Sequence, residues 1–421
     1  MLIHSAAQLL ILTPGPQRGQ ELGDLGLIPD GALLIQNGKI SCVGTSHELR
    51  GAYPGEPELD ASGCVVMPGF IDPHTHLIWA GDRAAEFEMR LQGKTYLEIL
   101  AAGGGILSTV KATRAATVKN LVSETRPRMQ KMLAHGTTTA EAKTGYGLET
   151  EAELRMLEAL LILSSDGLPD LAITFLGAHA ISPEYRGRPD EYTDEICQNM
   201  LPAVLTWWWD QAPGITLPFV DVFCETGAFT LEQSRRILQR ARDLGFPLKI
   251  HADEFDNLGG TNLAVELGAT SADHLVKTSL DEIRALGGSN TVAVALPCTP
   301  FGLAETHYTP ANAILEAGGI LALASDLNPG TAWCESMQFV IALACRYLGL
   351  TPAQAIAAST INAATAIGRH GEIGSLTPGK QADVIILSVP DYRHLGYRFG
   401  TNLVTRVIKK GELCYPSMLL P

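Results

Sequence analysis

The segment VVMPGFIDPHTH, residues 65–76, is a short apolar run that ends in two histidines separated by one residue. Similar apolar runs recur along residues 65–373 and alternate there with longer stretches of helical spacing, which indicates βα units and a parallel sheet. We predict strands at 65–71, 137–142, 171–176, 219–224, 247–250, 270–272, 292–296 and 320–324. Eight such units over about 300 residues predict a (β/α)8 TIM-like barrel, for which about 250 residues are typical.

Both ends of the chain carry a different, β-rich pattern. Residues 31–44 alternate short apolar runs around Asn37-Gly38, the strongest short-range hairpin signal. Residues 382–387 and 404–408 are rich in β-branched side chains, and Lys410-Gly411 indicates another hairpin. We therefore predict an α/β protein of two parts. A smaller composite, sandwich-like β domain would comprise residues 1–66 plus 374–421, and the barrel residues 67–373.

Composition and charge exclude several classes of partner. The 421 residues include 31 basic and 45 acidic side chains, a net charge of −14, and the basic residues form no cluster that would neutralise phosphates. We therefore expect a small-molecule substrate and neither nucleic acid nor a membrane as partner. The eight cysteines include no C-x-x-C pair, which favours reduced thiols and a cytoplasmic location.

The barrel prediction also locates the chemistry, because active-site groups of such barrels lie at or after the C-terminal ends of the strands. His74 and His76 follow the first predicted strand, and residues i and i+2 of a strand point to the same face. His251 and Asp326 follow the fifth and eighth strands. Three imidazoles and a carboxylate suit Zn²⁺, a similar divalent ion, or iron. A metal held there would lower the pKa of a bound water towards about 7.

Three side chains are candidates for proton transfer. Asp326 can be a metal ligand, a general base or both, and the alternative interpretation is a helix N-cap after strand eight. Glu254, three residues beyond His251, either passes a proton to a leaving nitrogen or is a solvated loop charge. His274 either hydrogen-bonds the attacking water or an oxyanion, or holds a metal ligand in place. Whether Asp326 or His274 is the primary base stays open.

Longer strings around these positions resemble the amidohydrolase superfamily and, within it, the imidazolonepropionase family. The superfamily resemblance rests on PGFIDPHTH at 68–76 with the later histidines and aspartate. The narrower resemblance covers nearly the whole chain. It rests on AGDRAAEF at 80–87, GGGILST at 103–109, KTGYGL at 143–148, FLGAH at 175–179, HADEF at 251–255, SADHL at 271–275 and ASDLNPG at 324–330.

The resemblance implies a reaction and a set of substrate contacts. Water would open the ring amide C–N bond of 4-imidazolone-5-propanoate and yield N-formimidoyl-L-glutamate, a step of histidine degradation. Arg83 would clamp the propanoate carboxylate, for which a guanidinium offers bidentate geometry. The other implied substrate contacts are Tyr146, His179, Glu254, Asn328, Gly330 and Thr331. The family resemblance further implies one Zn²⁺ or Fe³⁺ per subunit, and a homodimer.

Two alternative functions stay open, and several positions differ from the usual family sequence. A related enzyme of the superfamily could deaminate another small heterocycle, and a catalytically dead scaffold could share the fold. Leu327 and Thr331 stand where the family more often has Phe and Ser. Superfamily members with two bridged metals use a modified lysine after strand four. Residues 224–227 contain no lysine, so the resemblance favours a single metal. The tryptophans at 207–209 are expected to serve packing or a subunit contact.

Overall fold

A computed structural model of the protein describes residues 1–94, 98 and 103–416. Those residues form sixteen strands in two sheets. In chain order the strands are β1 Leu2–Leu10, β2 Leu27–Gln36, β3 Lys39–Thr45, β4 Glu58–Asp60, β5 Val65–Pro68, β6 Phe70–Asp72, β7 Thr137–Lys143, β8 Asp170–Ala178, β9 Phe219–Cys224, β10 Lys249–Ala252, β11 Ser271–His274, β12 Val292–Ala295, β13 Ile320–Leu323, β14 Val384–Leu387, β15 Val404–Lys409 and β16 Glu412–Tyr415.

Strands β6 to β13 form an eight-stranded sheet in which every pair of neighbours is parallel. Hydrogen bonds between the residues that follow β6 and those that follow β13 close the barrel. Asp326 N–H donates to the His74 carbonyl over 3.1 Å, and His76 N–H donates to the Leu327 carbonyl over 2.9 Å. The predicted TIM-like barrel is therefore confirmed.

Many of the helices pack an apolar face against the barrel strands. Helix Leu231–Asp243 is representative: a capping box of Thr230 and Gln233 starts it, and Ile237, Leu238 and Ala241 are buried. The α-helices are Ser46–Ala52, Ala84–Leu91, Ile106–Ala115, Val118–Ala134, Thr150–Ser165, Pro189–Glu195, Leu201–Gln211, Leu231–Asp243, Gly260–Leu267, Leu280–Gly287, Cys298–Gly302, Ala311–Glu316, Met337–Leu343, Pro352–Ala358, Ile361–Ala366 and His394–Tyr397. Short 3₁₀ or π segments are Gly19–Glu21, Pro183–Tyr185, Ile196–Met200 and Ala344–Leu348.

The other eight-stranded sheet combines strands from both ends of the chain, and we call it the smaller sheet because it belongs to the smaller predicted domain. Its order is β16-β15-β14-β5-β1-β2-β3, with β4 beside β1. The β2–β3 hairpin turns at Asn37-Gly38, both with positive φ (51° and 74°), as a type I′ turn requires. The division into residues 1–66 plus 374–421 and 67–373 stays a prediction, and residues 417–421 lie outside the described part.

One strand prediction was wrong in detail. The predicted strand 65–71 is two strands, because β5 pairs antiparallel with β14 in the smaller sheet whereas β6 pairs with β7 in the barrel. Gly69 separates them, and its N–H donates to the Asp383 carbonyl. A Cβ at Gly69 would lie 2.3 Å from the Thr138 side chain, so only glycine fits this close approach. A single continuous apolar run therefore serves two sheets.

Ion pairs around the buried Lys409 join the smaller sheet to the start of barrel strand β8. Lys409 Nζ lies 2.7 Å from Asp383 Oδ2 and 2.8 Å from Asp170 Oδ2. Lys410 and Arg369 also contact Asp170, over 3.0 and 3.6 Å. We call these five residues the base cluster, because Asp170 begins β8 and thus lies at the end of the barrel opposite the predicted chemistry. None of the described helices is long and apolar enough to span a membrane.

Candidate active site

The strand ends bring the predicted metal ligands together. His74 and His76 follow β6, His251 lies in β10, and Asp326 follows β13. Asp326 Oδ1 is 3.5 Å from Nε2 of both His74 and His76, and Nε2 of His76 is 3.3 Å from that of His251. All four residues are buried. The structure therefore places the four side chains around one point.

The donor atoms of this group fit a metal ion. His74 Nε2 and Asp326 Oδ1 are buried and have no hydrogen-bond partner among the described residues, and an unpaired polar atom is costly to bury. Ligand atoms of His74, His76 and Asp326 lie within 4.8 Å of one another, as do those of His74, His251 and His274. Imidazole nitrogens and one carboxylate are the donor set of zinc and non-haem iron sites.

Two aspartates hold the ligand imidazoles from behind. Asp273 Oδ2 lies 2.6 Å from His74 Nδ1, and Asp221 Oδ2 lies 3.0 Å from His251 Nδ1. The Nδ1–H that His74 donates to Asp273 leaves the His74 Nε2 lone pair free for a metal, whereas His251 Nδ1 lies at ion-pair distance from Asp221 without hydrogen-bond geometry. Burial lowers the pKa of His74, so its imidazole is neutral, the form that ligates a metal.

Below the ligands the barrel interior contains five buried charged side chains that we call the interior charge network. They are Glu141, Lys143, Asp221, Lys249 and Asp273. Although burial opposes a charged amine, attraction to Asp221, Glu141 and Asp273 outweighs it and raises the pKa of Lys143 above its usual value. Lys143 is therefore an ammonium ion. No role for these five residues was predicted from the sequence. Glu141 and Lys143 occupy positions i and i+2 of a buried strand, which indicates that both side chains point to the same face.

The three candidate proton-transfer residues lie side by side. Thr299 Oγ1 donates to Asp326 Oδ2 over 2.5 Å, and His274 Nε2 lies 3.6 Å from Glu254 Oε2. Burial raises the pKa of Asp326 to about 6 and raises that of Glu254 well above its usual value. His274 and Asp326 also have positive φ (80° and 55°), a backbone conformation that costs free energy in non-glycine residues.

A cavity of about 150 Å³ opens above this group. All predicted site residues except His74, which lies beneath, line it. They are His76, Arg83, Tyr146, His179, His251, Glu254, His274, Asp326, Asn328, Gly330 and Thr331. Ile106, Phe223 and Phe255 also line the cavity and were not predicted. Their apolar surfaces suit the face of a small ring.

Loop 144–148 fixes one wall of the cavity. The buried Glu153 carboxylate accepts hydrogen bonds from the backbone N–H groups of Gly145, Gly147 and Leu148. His179 Nδ1 lies 3.0 Å from the Gly145 carbonyl oxygen, and its ring stacks on His76 with centroids 4.7 Å apart. Burial raises the pKa of Tyr146, so its hydroxyl remains a neutral hydrogen-bond donor. Tyr146 and His179 thus present polar atoms from a rigid support.

Arg83 forms the opposite side of the cavity. Its guanidinium pairs with Glu86, with Nε–Oε2 and Nη2–Oε2 distances of 2.9 and 2.8 Å. Gly330 packs directly against this group, because a Cβ at position 330 would lie 2.5 Å from Arg83 Nη1. A larger residue at 330 would displace the guanidinium.

Comparison with known proteins agrees with this geometry. Residues 65–414 match the model of the amidohydrolase family. The chain is 52% identical to an imidazolonepropionase of Herpetosiphon aurantiacus, covering 99% of this chain and 98% of the relative. An imidazolonepropionase of Chloroflexus aggregans is 49% identical over 98% of each chain. The chain belongs to the imidazolonepropionase branch of the amidohydrolase family.

Solved structures share the fold of this amidohydrolase at low sequence identity. A triazine hydrolase variant superimposes with a TM-score of 0.73 at 16% identity, covering 98% of this chain and 94% of that one. A zinc-bound adenosine deaminase from Xanthomonas campestris has a TM-score of 0.69 at 18% identity, covering 98% and 92%. These likenesses show a shared fold.

In this imidazolonepropionase family member, the loop of Asn328, Gly330 and Thr331 is held by its own hydrogen bonds. Asn328 Oδ1 accepts from the backbone N–H groups of Gly330 and Thr331, both over 2.8 Å, and Asn328 Nδ2 donates to the Asp326 carbonyl over 2.7 Å. The loop lines the cavity, but these donors already have partners. Direct binding of a carboxylate by them would require exchange of those bonds.

The tryptophans at 207–209 lie in helix Leu201–Gln211, outside the cavity lining. Trp208 is buried and its indole N–H points at the Ile215 carbonyl over 3.4 Å, whereas Trp209 is 63% exposed. Packing accounts for Trp208. The expected subunit contact for the exposed Trp209 stays a prediction.

Proposed function

We propose that the protein hydrolyses the ring amide C–N bond of 4-imidazolone-5-propanoate to N-formimidoyl-L-glutamate. The observation that carries this proposal is the small cavity in which an arginine, a buried tyrosine and a buried acid face the candidate metal ligands. The 52% identity to a curated imidazolonepropionase over nearly the full length of both chains supports the same substrate.

We infer that His74, His76, His251 and Asp326 hold one metal ion, either Zn²⁺ or Fe³⁺. Such an ion supplies a water of lowered pKa and polarises the substrate carbonyl. The buried, unpaired atoms His74 Nε2 and Asp326 Oδ1 support this assignment. Metal analysis of the purified protein should give about one equivalent per chain. Less than about 0.1 equivalent after metal supplementation would exclude a metal-dependent hydrolase.

Arg83, Tyr146 and His179 would bind and orient the substrate. The Arg83 guanidinium can exchange Glu86 for the propanoate carboxylate, and the Tyr146 hydroxyl can donate a hydrogen bond beside it. His179, with Nδ1 at the Gly145 carbonyl, has Nε2 available for the ring or the carboxylate. Asn328, Gly330 and Thr331 would bind the carboxylate formed by hydrolysis as it develops, which requires the loop bonds to rearrange.

Asp326 and Glu254 would carry the protons in opposite directions. Asp326 Oδ2 is held by Thr299, and its carboxylate can accept a proton from the attacking water. The water oxygen bonds to the ring carbonyl carbon while His274 donates a hydrogen bond to the developing oxyanion. Burial raises the pKa of Glu254 well above its usual value, so Glu254 holds a proton for the departing ring nitrogen. The C–N bond then breaks as the nitrogen takes the Glu254 proton, and the second water proton stays on the new carboxyl group until solvent removes it. Transfer of a proton from Asp326 through solvent to Glu254 restores both residues.

The decisive experiment mixes the protein with imidazolone propanoate and follows the loss of ring ultraviolet absorbance. We expect formimidoylglutamate to form in step with this loss and no ammonia to appear. Ammonia release without ring opening would identify a deaminase instead. No turnover by fully metal-loaded protein would overturn the substrate assignment.

Location and assembly are the finer parts of the proposal. We infer a cytoplasmic homodimer, because all eight cysteines are free thiols and the family resemblance implies a dimer. Light scattering coupled to gel filtration measures the mass directly. A 45.0 kDa species at micromolar concentration would contradict the dimer.

A further inference from the structure

The interior charge network contains two ammonium groups and three carboxylates, packed beneath the candidate metal ligands. Lys143 Nζ lies 2.7 Å from Asp221 Oδ2, 2.9 Å from the Glu141 carboxylate and 3.8 Å from Asp273 Oδ2. Lys249 Nζ lies 2.9 Å from Glu141 Oε1 and 3.8 Å from Asp273 Oδ2. Every side chain in this network is fully buried, so water does not screen these contacts.

The same carboxylate oxygens touch two of the ligand histidines. Asp221 Oδ2 contacts both Lys143 Nζ and His251 Nδ1, and Asp273 Oδ2 lies near Lys143 Nζ and 2.6 Å from His74 Nδ1. Among the described ion pairs, Lys143 is therefore the one side chain that contacts both Asp221 Oδ2 and Asp273 Oδ2. The described ion pairs of Asp221 are those with Lys143 and His251.

We propose that Lys143 is a positioning residue of the metal site, which fixes Asp221 and Asp273 and through them the direction of the Nε2 atoms of His251 and His74. The inference rests on the proposed metal-dependent function. A buried carboxylate that loses its counter-charge moves towards other donors or water, and an imidazole attached to it turns with it. Carboxylates behind a ligand histidine influence metal affinity by about 10- to 100-fold.

The Lys143 ammonium lies between the carboxylates of Glu141, Asp221 and Asp273, at 2.9, 2.7 and 3.8 Å, and neutralises part of their charge.

The test replaces Lys143 with methionine, which keeps the length of the side chain and removes its charge. Lys249→Met is the comparison variant, because it removes the same charge from the same network at equal burial and leaves the Lys143–Asp221 pair intact. It also removes the hydrogen bond from Lys249 Nζ to the Pro73 carbonyl. Both experiments start from metal-free, folded protein. Zn²⁺ affinity is measured by competition with a chromophoric chelator. Co²⁺ is then added to a separate sample, and its visible spectrum reports the ligand geometry.

We expect Lys143→Met to weaken Zn²⁺ binding by at least about tenfold and to alter the Co²⁺ spectrum. Lys249→Met should weaken binding by less than about threefold and keep the wild-type spectrum. Unchanged affinity and spectrum in folded Lys143→Met would overturn the inference. Equal effects of both variants would also overturn it, because total charge rather than the position of Lys143 would then decide.

A double variant guards against a folding failure. Lys143→Met with Asp221→Asn removes the charges of both members of one buried pair and keeps an amide group beside His251 Nδ1. We expect this protein to fold and to bind Zn²⁺ at least about tenfold more weakly than wild type. Wild-type affinity in the double variant would contradict the positioning role.

The controls separate this inference from the proposed function. Wild-type protein that binds no Zn²⁺ would overturn the metal-dependent function itself. Wild-type protein that binds Zn²⁺ but does not open the imidazolone ring would overturn only the substrate assignment and leave the role of Lys143 standing.

Discussion

The two ends of the barrel each bury a lysine between carboxylates. Within the interior charge network, Lys143 Nζ lies 2.7 Å from Asp221 and 2.9 Å from Glu141. In the base cluster, Lys409 Nζ lies 2.7 Å from Asp383 and 2.8 Å from Asp170. The side chains of both lysines are almost completely buried, with exposed fractions of 0% and 2%.

The difference lies in what the carboxylates contact next. In the interior charge network, Asp221 and Asp273 reach His251 and His74, which belong to the candidate metal site. In the base cluster, Asp170 reaches Lys410 and Asp383 accepts from the Lys410 backbone N–H, which ties the smaller sheet to β8. The same chemistry therefore supports a reaction at one end and holds two sheets together at the other. Ion-pair geometry alone does not separate these roles.

The largest contrast is expected between Asp326→Asn and Asp383→Asn. Asp326→Asn should lower kcat by about 10³-fold, because it removes the acceptor of the water proton and a charged metal ligand. Asp383→Asn should leave kcat near the wild-type value and lower the free energy of unfolding. Steady-state kinetics and urea unfolding on both variants test this. Near-normal turnover of Asp326→Asn would remove its proposed role.

Lys409→Met should destabilise the protein by about 3 kcal/mol, since it leaves Asp170 and Asp383 buried without their main counter-charge. Its kcat and metal affinity should stay close to wild type, in contrast to Lys143→Met. Urea unfolding combined with kinetics provides the comparison. A loss of metal affinity in folded Lys409→Met would mean that the two ends of the barrel are coupled.

Two arginine–glutamate pairs extend the comparison. Arg83 pairs with Glu86 at the cavity, and Arg50 pairs with Glu58 on the smaller sheet. Arg83→Ala should raise KM by about 30-fold, because a charge-assisted pair with the propanoate would be lost, with a smaller change in kcat. Arg50→Ala should alter neither. An unchanged KM in Arg83→Ala would place the substrate carboxylate elsewhere.

The smallest expected effect is the acid sensitivity of the base cluster. Burial acts to raise the pKa of Asp170, but Lys409 and Lys410 outweigh it and hold this pKa below its usual value. A lowered folded-state pKa contributes stability that is present above the usual aspartate pKa of about 3.9 and is lost as the pH falls further. Asp170→Asn should therefore show a shallower fall in unfolding free energy below about pH 4 than wild type. Parallel acid unfolding curves would refute this.

Much of the fold could be predicted because strand-length apolar runs and helical spacing alternate so regularly. All eight predicted barrel strands overlap β6 to β13, and the candidate ligands His74, His76, His251 and Asp326 lie at strand ends as expected. The exception was the run at 65–71, where local pattern cannot reveal that β5 and β6 pair in different sheets. Partner choice depends on residues such as Asp383 and Thr138, distant in sequence from Gly69.

The sequence by itself determined the barrel, the family and the residues expected to face the substrate, because periodicity and motif strings are local properties of the chain. Only the tertiary structure decided which charges meet inside the barrel. Lys143, Asp221 and Asp273 come from β7, β9 and β11, so their contacts exist only after the sheet has closed. Likewise, Asn328 could be assigned to the cavity from its motif, but its internal hydrogen bonds follow from the folded loop.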